Sequence, residues 1–252
     1  MKYDTEVCRI LERRQLTPDT FRLRVSAPKL APMAKPGQFA QVLVPGMALR
    51  RPISICKIEP EALCFVVQVR GEGTRRLSLL QPQDQVDLLA PLGNGFPLAG
   101  DSGRHAVFVG GGIGVPPLLG AAAAFSGRCS AVLGFRSASA VILTDEFAHA
   151  GCQVQVATDD GSFGVHGLVT DILKTISFDV CYACGPLPML RAVAALCRER
   201  KTPCWISMEQ RMACGIGACL GCAVELCRAD GSHYYGHVCK DGPVFSADQV
   251  VL

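Results

Sequence analysis

Four cysteines near the carboxyl end constrain this chain more than any other feature. Cys214, Cys219 and Cys222 share one nine-residue loop with the spacing C-x4-C-x2-C, and Cys239 follows after sixteen intervening residues. Four thiolates hold a [2Fe–2S] cluster with this spacing. Glycines stand between the cysteines, and a residue without a Cβ lets the backbone wrap closely around sulfur. We therefore predict a cluster held by these four cysteines, in a small domain of residues 206–252.

Zinc is the main alternative occupant of this loop. Zinc sites usually pair two C-x2–4-C hairpins, whereas here three of the four cysteines share one loop. Cys227 follows a predicted strand at 223–226 and is a weak substitute ligand. The spacing favours a cluster, and a zinc-stabilised binding module would give a colourless protein.

Composition limits the classes of partner. The 252 residues suffice for two compact domains and an appendage. A net charge of +3 is too small to indicate nucleic acid or an anionic membrane. The chain has fourteen cysteines, but the segment Met1–Glu6 lacks the apolar core of a signal peptide. We therefore expect a cytoplasmic protein with reduced thiols, and we expect most of the other ten cysteines to be small buried hydrophobes.

Residues 106–125 form an uncharged run as long as a membrane span. Glycines and the pair Pro116-Pro117 interrupt this run, which favours a strand, a glycine turn and a helix instead. We expect no membrane segment.

The first part of the chain, residues 1–100, has the pattern of a small antiparallel barrel. Turn formers such as Pro36-Gly37 separate short apolar runs, and hydrophobic and polar residues alternate in Phe21–Val25. The predicted strands are Tyr3–Leu11, Thr20–Val25, Phe39–Val44, Leu63–Val69 and Gln85–Leu89.

Three motifs stand out in the barrel region. The stretch Arg50–Ile55 puts an arginine fork, a proline and a serine in one strand, which suits a pyrophosphate and a ring nitrogen. Gly71-Glu72-Gly73-Thr74 precedes a helix-like run, where free N–H groups can bind an anion. The third motif, Pro91–Phe96, would alone be called a loop. Each is a weak signal by itself.

Residues 101–205 alternate between strands and helices, which predicts a parallel sheet. The strands are Ala106–Val109, Ser130–Phe135, Gln153–Thr158 and Val180–Ala183, and helix-like runs include His166–Ile176 and Pro188–Arg200. The glycine-rich turn 110–117 opens a helix and could approach a pyrophosphate closely. A second turn, Cys184-Gly185-Pro186, follows the last strand and could equally be an ordinary turn with a buried thiol.

The order of these motifs resembles the ferredoxin–NADP reductase superfamily. R-P-I-S, G-x-G-T and P-L-G-N-G-F occur in the same order in its FAD-binding barrel. With the cluster loop added, the whole chain resembles the electron-transfer subunits of class 1B dihydroorotate dehydrogenases. The implied fold is an FAD-binding antiparallel β-barrel, a parallel-sheet nicotinamide-nucleotide domain and a C-terminal [2Fe–2S] domain.

The resemblance also implies a set of site residues. Those expected to bind FAD are Arg51, Pro52, Ile53, Ser54, Val66, Val67, Gln68, Gly73 and Thr74. Those expected to bind NAD(H) are Gly111, Gly112, Gly114, Cys184, Gly185 and Pro186. Ser54 and Cys184 are the expected catalytic residues, beside the flavin and the hydride path. Val67-Gln68 departs from the aromatic–arginine pair that relatives often place there.

The implied activity is electron transfer in pyrimidine biosynthesis. Electrons from the FMN of a separate dihydroorotate dehydrogenase catalytic subunit would reach NAD+ through the cluster and FAD, in a heterotetramer with two of each subunit. The cluster loop 214–222 is expected near the subunit interface. Arg136 and Ser137 follow the second strand, where an adenosine 2′-phosphate could be read, but Asp159 and Asp160 favour NADH over NADPH. The alternatives are a reductase subunit of a hydrogenase or NADPH–ferredoxin transhydrogenase, and a non-enzymatic cluster carrier without flavin.

Overall fold

The computed structural model describes residues 3–98 and 103–252. Its strands are β1 Asp4–Thr17, β2 Thr20–Ser26, β3 Phe39–Leu43, β4 Arg51–Glu59, β5 Ala62–Gln68, β6 Gln85–Leu92, β7 His105–Gly111, β8 Arg128–Phe135, β9 Cys152–Thr158, β10 Val165–His166, β11 Val180–Cys184, β12 Cys204–Ser207, β13 Ala223–Cys227, β14 His233–His237 and β15 Val244–Ser246. Its α-helices are α1 Glu72–Leu79, α2 Pro116–Ala124, α3 Thr144–His149, α4 Val169–Leu173 and α5 Leu187–Glu199. The predicted domain boundary between residues 100 and 101, and the first two residues of the amino terminus, lie outside the described residues.

The first six strands close into an antiparallel barrel in the order β1-β2-β5-β4-β3-β6. Hydrophobic and polar residues alternate along β2, so that one face of the strand is apolar. Phe21, Leu23 and Val25 are buried in the barrel interior, while the arginines between them are only half-buried. The predicted antiparallel barrel is confirmed. Strand β4 begins at Arg51 and carries the R-P-I-S motif.

The middle of the chain forms a seven-stranded sheet in the order β10-β9-β8-β7-β11-β12-β15. Its first six strands are parallel, and their central members are almost continuously apolar because helices cover both faces. The predicted parallel sheet is confirmed. The last strand, β15, comes from the carboxyl-terminal segment and pairs antiparallel with β12.

One predicted helix is shorter than expected. The run His166–Ile176 was expected to be helical, but β10 occupies Val165–His166 and α4 covers only Val169–Leu173. Gly167 separates them with a φ of +137°, which a helix does not allow. The Asp171 carboxylate then accepts the Leu168 N–H at 3.0 Å and starts the helix. Sequence analysis also did not predict α3.

The uncharged run 106–125 is confirmed as a strand, a glycine turn and a helix, namely β7 and α2. Within residues 3–98 and 103–252, no helix is both long and apolar enough to cross a membrane.

Helix α2 packs on barrel strand β4 and joins the barrel to the parallel sheet. Gly120 makes this possible, because a Cβ there would lie 3.1 Å from the Cys56 carbonyl oxygen. Val66 and Phe96 of the barrel share one apolar core with Phe108 of the sheet. The strand that carries R-P-I-S and the helix that follows the glycine-rich turn are therefore held side by side.

The motif Pro91–Phe96 fastens the barrel to the segment that follows Cys239. The Asn94 side-chain amide donates to the carbonyl oxygens of Lys240 at 3.2 Å and Asp241 at 2.9 Å. The Asn94 backbone N–H also donates to the Gly242 carbonyl. What sequence analysis could describe only as a loop is a contact between the barrel and the predicted cluster domain.

Replacing Asn94 should therefore loosen the cluster segment. Asn94→Ala removes two partly exposed hydrogen bonds, a loss of about 1 kcal/mol, which corresponds to about 2–4 °C in Tm for a chain of this size. Asn94→Asp should lower Tm at least as much, because it points a carboxylate at two carbonyl oxygens. Thermal unfolding and iron content of the purified proteins test this, with Gln81→Ala as a surface control. Wild-type Tm and iron content in both Asn94 variants would contradict the role of this contact.

Candidate functional site

The R-P-I-S and G-x-G-T motifs meet in the structure. The Arg51 guanidinium lies against Gly73 at the start of α1, so that a Cβ on Gly73 would stand 2.9 Å from the guanidinium carbon. A side chain at this position would displace the Arg51 guanidinium. The contact places a fixed positive charge beside the free N–H groups of a helix amino terminus, which is an arrangement suited to a pyrophosphate.

Thr74 shapes this anion site from within. Its hydroxyl accepts the N–H groups of Arg70 at 2.9 Å and Gly71 at 3.1 Å, and donates to the Gly71 carbonyl at 3.0 Å. Glu72 is turned towards Arg75 and Arg76, with ion pairs of 2.8 and 2.6 Å. The Thr74 hydroxyl therefore folds the turn, and the one acidic group in the turn is neutralised by its own helix.

The two arginines of the motif have different roles. Arg50 makes a bidentate ion pair with Asp87, with both N–O distances at 3.0 Å, and donates to the Gln41 carbonyl at 3.2 Å. It therefore ties β3 and β6 together. Among the residues that the structure describes, Arg51 donates only to the nearby carbonyls of Leu49 and Arg50. Arg51 thus remains the cation available to a ligand, while Arg50 is structural.

The remaining residues predicted to bind FAD lie on the neighbouring strands β4 and β5, and their side chains do not all point the same way. Pro52, Ile53 and Ser54 are half-buried on β4. On β5, Val66 faces the core shared with the parallel sheet, whereas Val67 points into the barrel interior. Only the backbone of Val67 could then face a flavin. Next to it, the Gln68 amide donates to Asp19 at 2.8 Å and accepts from Arg70 at 2.9 Å.

The two turns predicted to bind nicotinamide nucleotide lie against each other at the carboxyl ends of β7 and β11. A Cβ on Gly114 would stand 2.6 Å from the Cα of Gly185, and one on Gly185 would stand 3.0 Å from the Gly111 nitrogen. Gly112, with φ +53°, has open space in front of it. Pro186 follows as the residue just before α5. Carboxyl ends of parallel strands are the usual ligand edge of such sheets.

Cys184 ends β11 inside this pair of turns and is 2% exposed. Burial raises the pKa of its thiol to about 12, helped by the negative charge of Glu209. Cys184 is therefore a neutral thiol at physiological pH, and it offers an apolar surface and a weak donor rather than a nucleophile.

Loop 159–164 follows β9, lies beside the end of β8 and carries the two aspartates. Ser162 donates through its N–H and its hydroxyl to the Asp160 carboxylate, at 3.0 and 2.6 Å, and these hydrogen bonds lower the pKa of Asp160. The Asp160 N–H donates to the Arg136 carbonyl at 3.3 Å. Carboxylates thus stand at the end of β8, next to the exposed Arg136.

Two of the four cysteines of the carboxyl-terminal motif have their sulfurs in direct contact, and the other two lie in the same loop. The sulfurs of Cys222 and Cys239 are 3.2 Å apart, and the Gly217 N–H donates to the Cys239 sulfur at 3.1 Å. The Cys214 sulfur accepts the N–H groups of Ile216, Ala218 and Cys219 at 3.5, 3.3 and 3.4 Å. Backbone N–H groups therefore point at the sulfurs of Cys214 and Cys239, an arrangement that suits a thiolate-bound cluster.

The thiols of this group have unequal acidity. For Cys214, burial opposes ionisation, but the N–H donors of Ile216 and Cys219 outweigh it and lower its pKa to about 6. For Cys239, burial and the neighbouring Cys222 thiol raise the pKa to about 12. A bound metal core removes the protons of all four, because ligation requires the thiolate. Cys227, the weak substitute, lies at the far end of β13 and donates to the Arg228 carbonyl.

The loop presents one side to solvent and the other to the protein. Cys222 and Cys239 are buried, Cys214 is half-buried and Cys219 is exposed. Leu220, with φ +59°, projects outward and is 63% exposed. An electron carrier held here would lie close to the protein surface on the Cys219 side.

Gln41 is a site residue that sequence analysis missed. It is fully buried on β3, where a Cβ on Gly215 would stand 2.7 Å from its Cγ, and its amide donates to the Ala213 carbonyl at 3.4 Å. Within the described part of the chain, its Oε1 has no hydrogen-bond partner. A glutamine between apolar residues of a predicted strand was the available signal, because buried polar groups need partners.

These features fit the groups that the sequence predicts. The donor set for a cluster is four thiols with N–H groups aimed at sulfur, and the cradle at Arg51 and Gly73 is one that a Cβ would fill. All fourteen cysteines are free thiols, and nine of the ten outside the motif are buried, as expected.

Comparison with known proteins agrees with this geometry. A family model described as the iron-sulfur cluster binding domain of dihydroorotate dehydrogenase B matches residues 209–251, which include all four cysteines. The dihydroorotate dehydrogenase B (NAD(+)) electron transfer subunit of Geobacillus thermodenitrificans (strain NG80-2) is 45% identical over 96% of this chain and 97% of its own length. The corresponding subunit of Bacillus caldolyticus is 46% identical over the same shares.

A solved structure extends the likeness to three dimensions. The structure of an NADH-dependent reduced ferredoxin–NADP oxidoreductase, studied for flavin-based electron bifurcation, superposes with a TM-score of 0.86 and 29% identity, over 98% of this chain and 90% of that one. The fold of almost the whole chain is thus shared with that structure. The chain belongs to the family of dihydroorotate dehydrogenase B (NAD(+)) electron transfer subunits.

Proposed function

We propose that this chain passes electrons from the FMN of a dihydroorotate dehydrogenase catalytic subunit to NAD+, using a [2Fe–2S] cluster and FAD that it holds itself. The observation that carries the proposal is the packing of the four-cysteine loop directly on the barrel with the Arg51–Gly73 cradle. Gly215 of the loop touches Gln41 of β3 and Leu92 of β6. A one-electron site and a flavin-type site therefore share one rigid body.

Each group of residues has a distinct task in this proposal. Arg51 and the start of α1 bind the pyrophosphate of FAD, and Ser54 orients the ring. Gly111, Gly112 and Gly114 let the nicotinamide nucleotide approach the backbone. Cys184 keeps the meeting point dry and uncharged. When bound, a flavin can exchange electrons as a hydride or singly, which links nicotinamide to a one-electron cluster.

The metal ligands in the proposal are Cys214, Cys219, Cys222 and Cys239. Two of them are buried against the protein and Cys219 is exposed, so electrons would enter from the Cys219 side. Leu220 and Ile216, 63% and 40% exposed, supply an apolar rim there. We infer that the catalytic subunit docks on this rim, in a heterotetramer with two copies of each subunit.

The proposal includes a cytoplasmic location, where the many free thiols would stay reduced. It also includes the division into an FAD domain at 1–100, an NAD domain at 101–205 and a cluster domain at 206–252. Strand β15 of the last segment completes the sheet of the middle one, which supports a close association of these two domains.

A second candidate function follows from the structural comparison. The structure with a TM-score of 0.86 is an NADH-dependent reduced ferredoxin–NADP oxidoreductase, so a reductase subunit with a ferredoxin-type partner would use the same sites. The identity is 29% there and 45% for the dihydroorotate dehydrogenase relative, which favours the first proposal.

The deciding experiment mixes the anaerobically purified chain with an FMN-type dihydroorotate dehydrogenase subunit from the same genome. NADH formation from dihydroorotate and NAD+ is then followed. Activity that needs both subunits would support the proposal. A flavin-containing brown protein that reduces a dye with NADH, but forms no NADH with this subunit, would refute the partner and favour the ferredoxin-type function.

Cys239→Ser should remove the cluster and leave the flavin. The fourth thiolate is lost, whereas Arg51 and Gly73 are on the barrel and are unchanged. Iron and flavin per chain measure this directly, and Cys227→Ser, a half-buried cysteine outside the loop, is the matched control. Loss of FAD together with iron would mean that the cluster loop supports the barrel itself.

Arg51→Ala should weaken FAD binding. A charge-assisted hydrogen bond is worth about 1.5–3 kcal/mol, which is roughly 10- to 100-fold in affinity. Arg51→Lys should recover part of this, because it keeps the charge but loses the planar fork. Flavin fluorescence on titration of the flavin-stripped protein gives the affinity, with the exposed Arg14→Ala as control. Unchanged FAD affinity in Arg51→Ala would exclude this cradle.

Leu220→Asp should impair transfer to the catalytic subunit about tenfold or more, since a charge placed in an apolar interface costs over about 1.4 kcal/mol. Aspartate tolerates the positive φ, so the loop should stay intact. A change at Gly217 is less suitable, because its Cβ would stand 2.8 Å from the Lys240 Cδ. Leu79→Asp, at a position with the same 63% exposure on α1, is the control.

The two readouts for Leu220→Asp are NADH formation with the partner and NADH–dye reduction by the chain alone. The second should not change. Equal loss of both would place Leu220 in the internal electron path instead of at an interface.

A further inference from the structure

A second group of thiols lies in the parallel sheet, on other elements than the four-cysteine loop. Cys181 is on β11, Cys197 on α5 and Cys204 on β12, and their sulfurs all lie within 4.8 Å of one another. Cys181 and Cys204 are direct neighbours in the strand pairing. They lie towards the amino ends of their strands, whereas Cys184 lies at the carboxyl end, about 10 Å along β11.

A cleft of about 290 Å³ opens onto this group. Its lining includes Cys197 and Cys204, together with Arg198, Lys201 and Asp248. Asp248 stands at the cleft in an ion pair with Arg198 at 3.7 Å and is 78% exposed. Two of the three cysteines are therefore buried residues in the wall of the cleft, which gives a small cation a route to the group and leaves one ligand position open to the cleft.

The spacing of the sulfurs suits a single metal ion. Zinc–sulfur bonds of about 2.3 Å in a tetrahedral arrangement place sulfurs about 3.8 Å apart. Three sulfurs within 4.8 Å of one another reach that spacing by small rotations of their side chains. The three elements that supply them are held by the sheet and by α5, so the group is assembled before any ion arrives.

Charge selects the class of ion. Three thiolates around a divalent cation leave a net charge of −1, whereas a monovalent cation would leave −2 in a buried position, which is far more costly. Lys201 lines the cleft and offsets a single negative charge, while Arg198 is paired with Asp248. Soft sulfur ligands favour a thiophilic cation over magnesium or calcium.

We propose that Cys181, Cys197 and Cys204 form a binding site for a thiophilic divalent d10 cation of the zinc class, with a water from the cleft as fourth ligand. Binding is not a redox step: three thiols release three protons to solvent and three sulfur–metal bonds form. The bound ion cross-links β11, β12 and α5. It therefore stabilises the half of the sheet that carries the turn Cys184–Pro186.

The test uses the anaerobically purified chain with its flavin and cluster in place. One equivalent of zinc chloride is added, unbound zinc is removed by gel filtration, and zinc and iron per chain are measured. X-ray absorption at the zinc edge then counts the ligands without interference from iron. The proposal predicts about one zinc per chain, three sulfurs at about 2.3 Å and one oxygen, unchanged iron, and a higher Tm because the ion binds only the folded chain.

Variants separate this site from other thiols. Cys197→Ser should weaken zinc binding roughly tenfold or more. Cys129→Ser is the matched control, because Cys129 is also buried in the sheet, 2.8 Å from Cys152, and should leave zinc binding unchanged. If Cys197→Ser does not fold, the sulfur count in the wild-type protein decides alone.

Several results would overturn the proposal. The first is that the wild-type chain retains no zinc. The second is that the zinc has fewer than three sulfur ligands. The third is that Cys197→Ser retains zinc fully. Zinc gained in proportion to iron lost would mean that zinc had replaced the cluster at the other site. In each case the three thiols would be small buried hydrophobes in the core.

Discussion

The close contact between the cluster loop and the barrel is the constraint on which the rest of the structure depends. Gly215 packs on Gln41 and Leu92, and a side chain on Gly215 would separate the two surfaces. Asn94 adds hydrogen bonds to the segment after Cys239. Because electron transfer weakens steeply with distance, this packing is what allows a cluster and a flavin in one chain to exchange electrons.

The anion cradle, the nucleotide turns and the cluster loop differ in the charge that each one favours. At the anion cradle, Arg51 has no carboxylate partner within the described residues, while Arg50 is neutralised by Asp87. The turns proposed to bind nicotinamide nucleotide carry a neutral thiol at Cys184, whose raised pKa would keep negative charge away from the proposed hydride path. The cluster loop surrounds sulfur with N–H groups, which stabilise negative charge there. Each site therefore favours the charge that its ligand requires.

The sequence predicted the local features well. The cysteine spacing, the glycine turns and the alternation of β2 are encoded within a few residues, and the barrel and the parallel sheet followed from them. It did not predict contacts between distant segments. The bonds of Asn94 to Lys240 and of Gln41 to Ala213 have no local pattern, and neither has the addition of β15 to the sheet. The predicted length of the helix at 166–176 was too great, because Gly167 takes a positive φ that the apolar residues around it do not reveal.

The most direct test of the account is rapid anaerobic mixing of the chain with NADH, following the flavin and cluster absorption bands separately. The account predicts that the flavin band bleaches first and that the cluster band follows. In flavin-stripped protein, NADH should leave the cluster oxidised, whereas dithionite should still reduce it. Reduction of the cluster by NADH without flavin would contradict it. So would a cluster that dithionite reduces but that remains oxidised while the bound flavin is fully reduced.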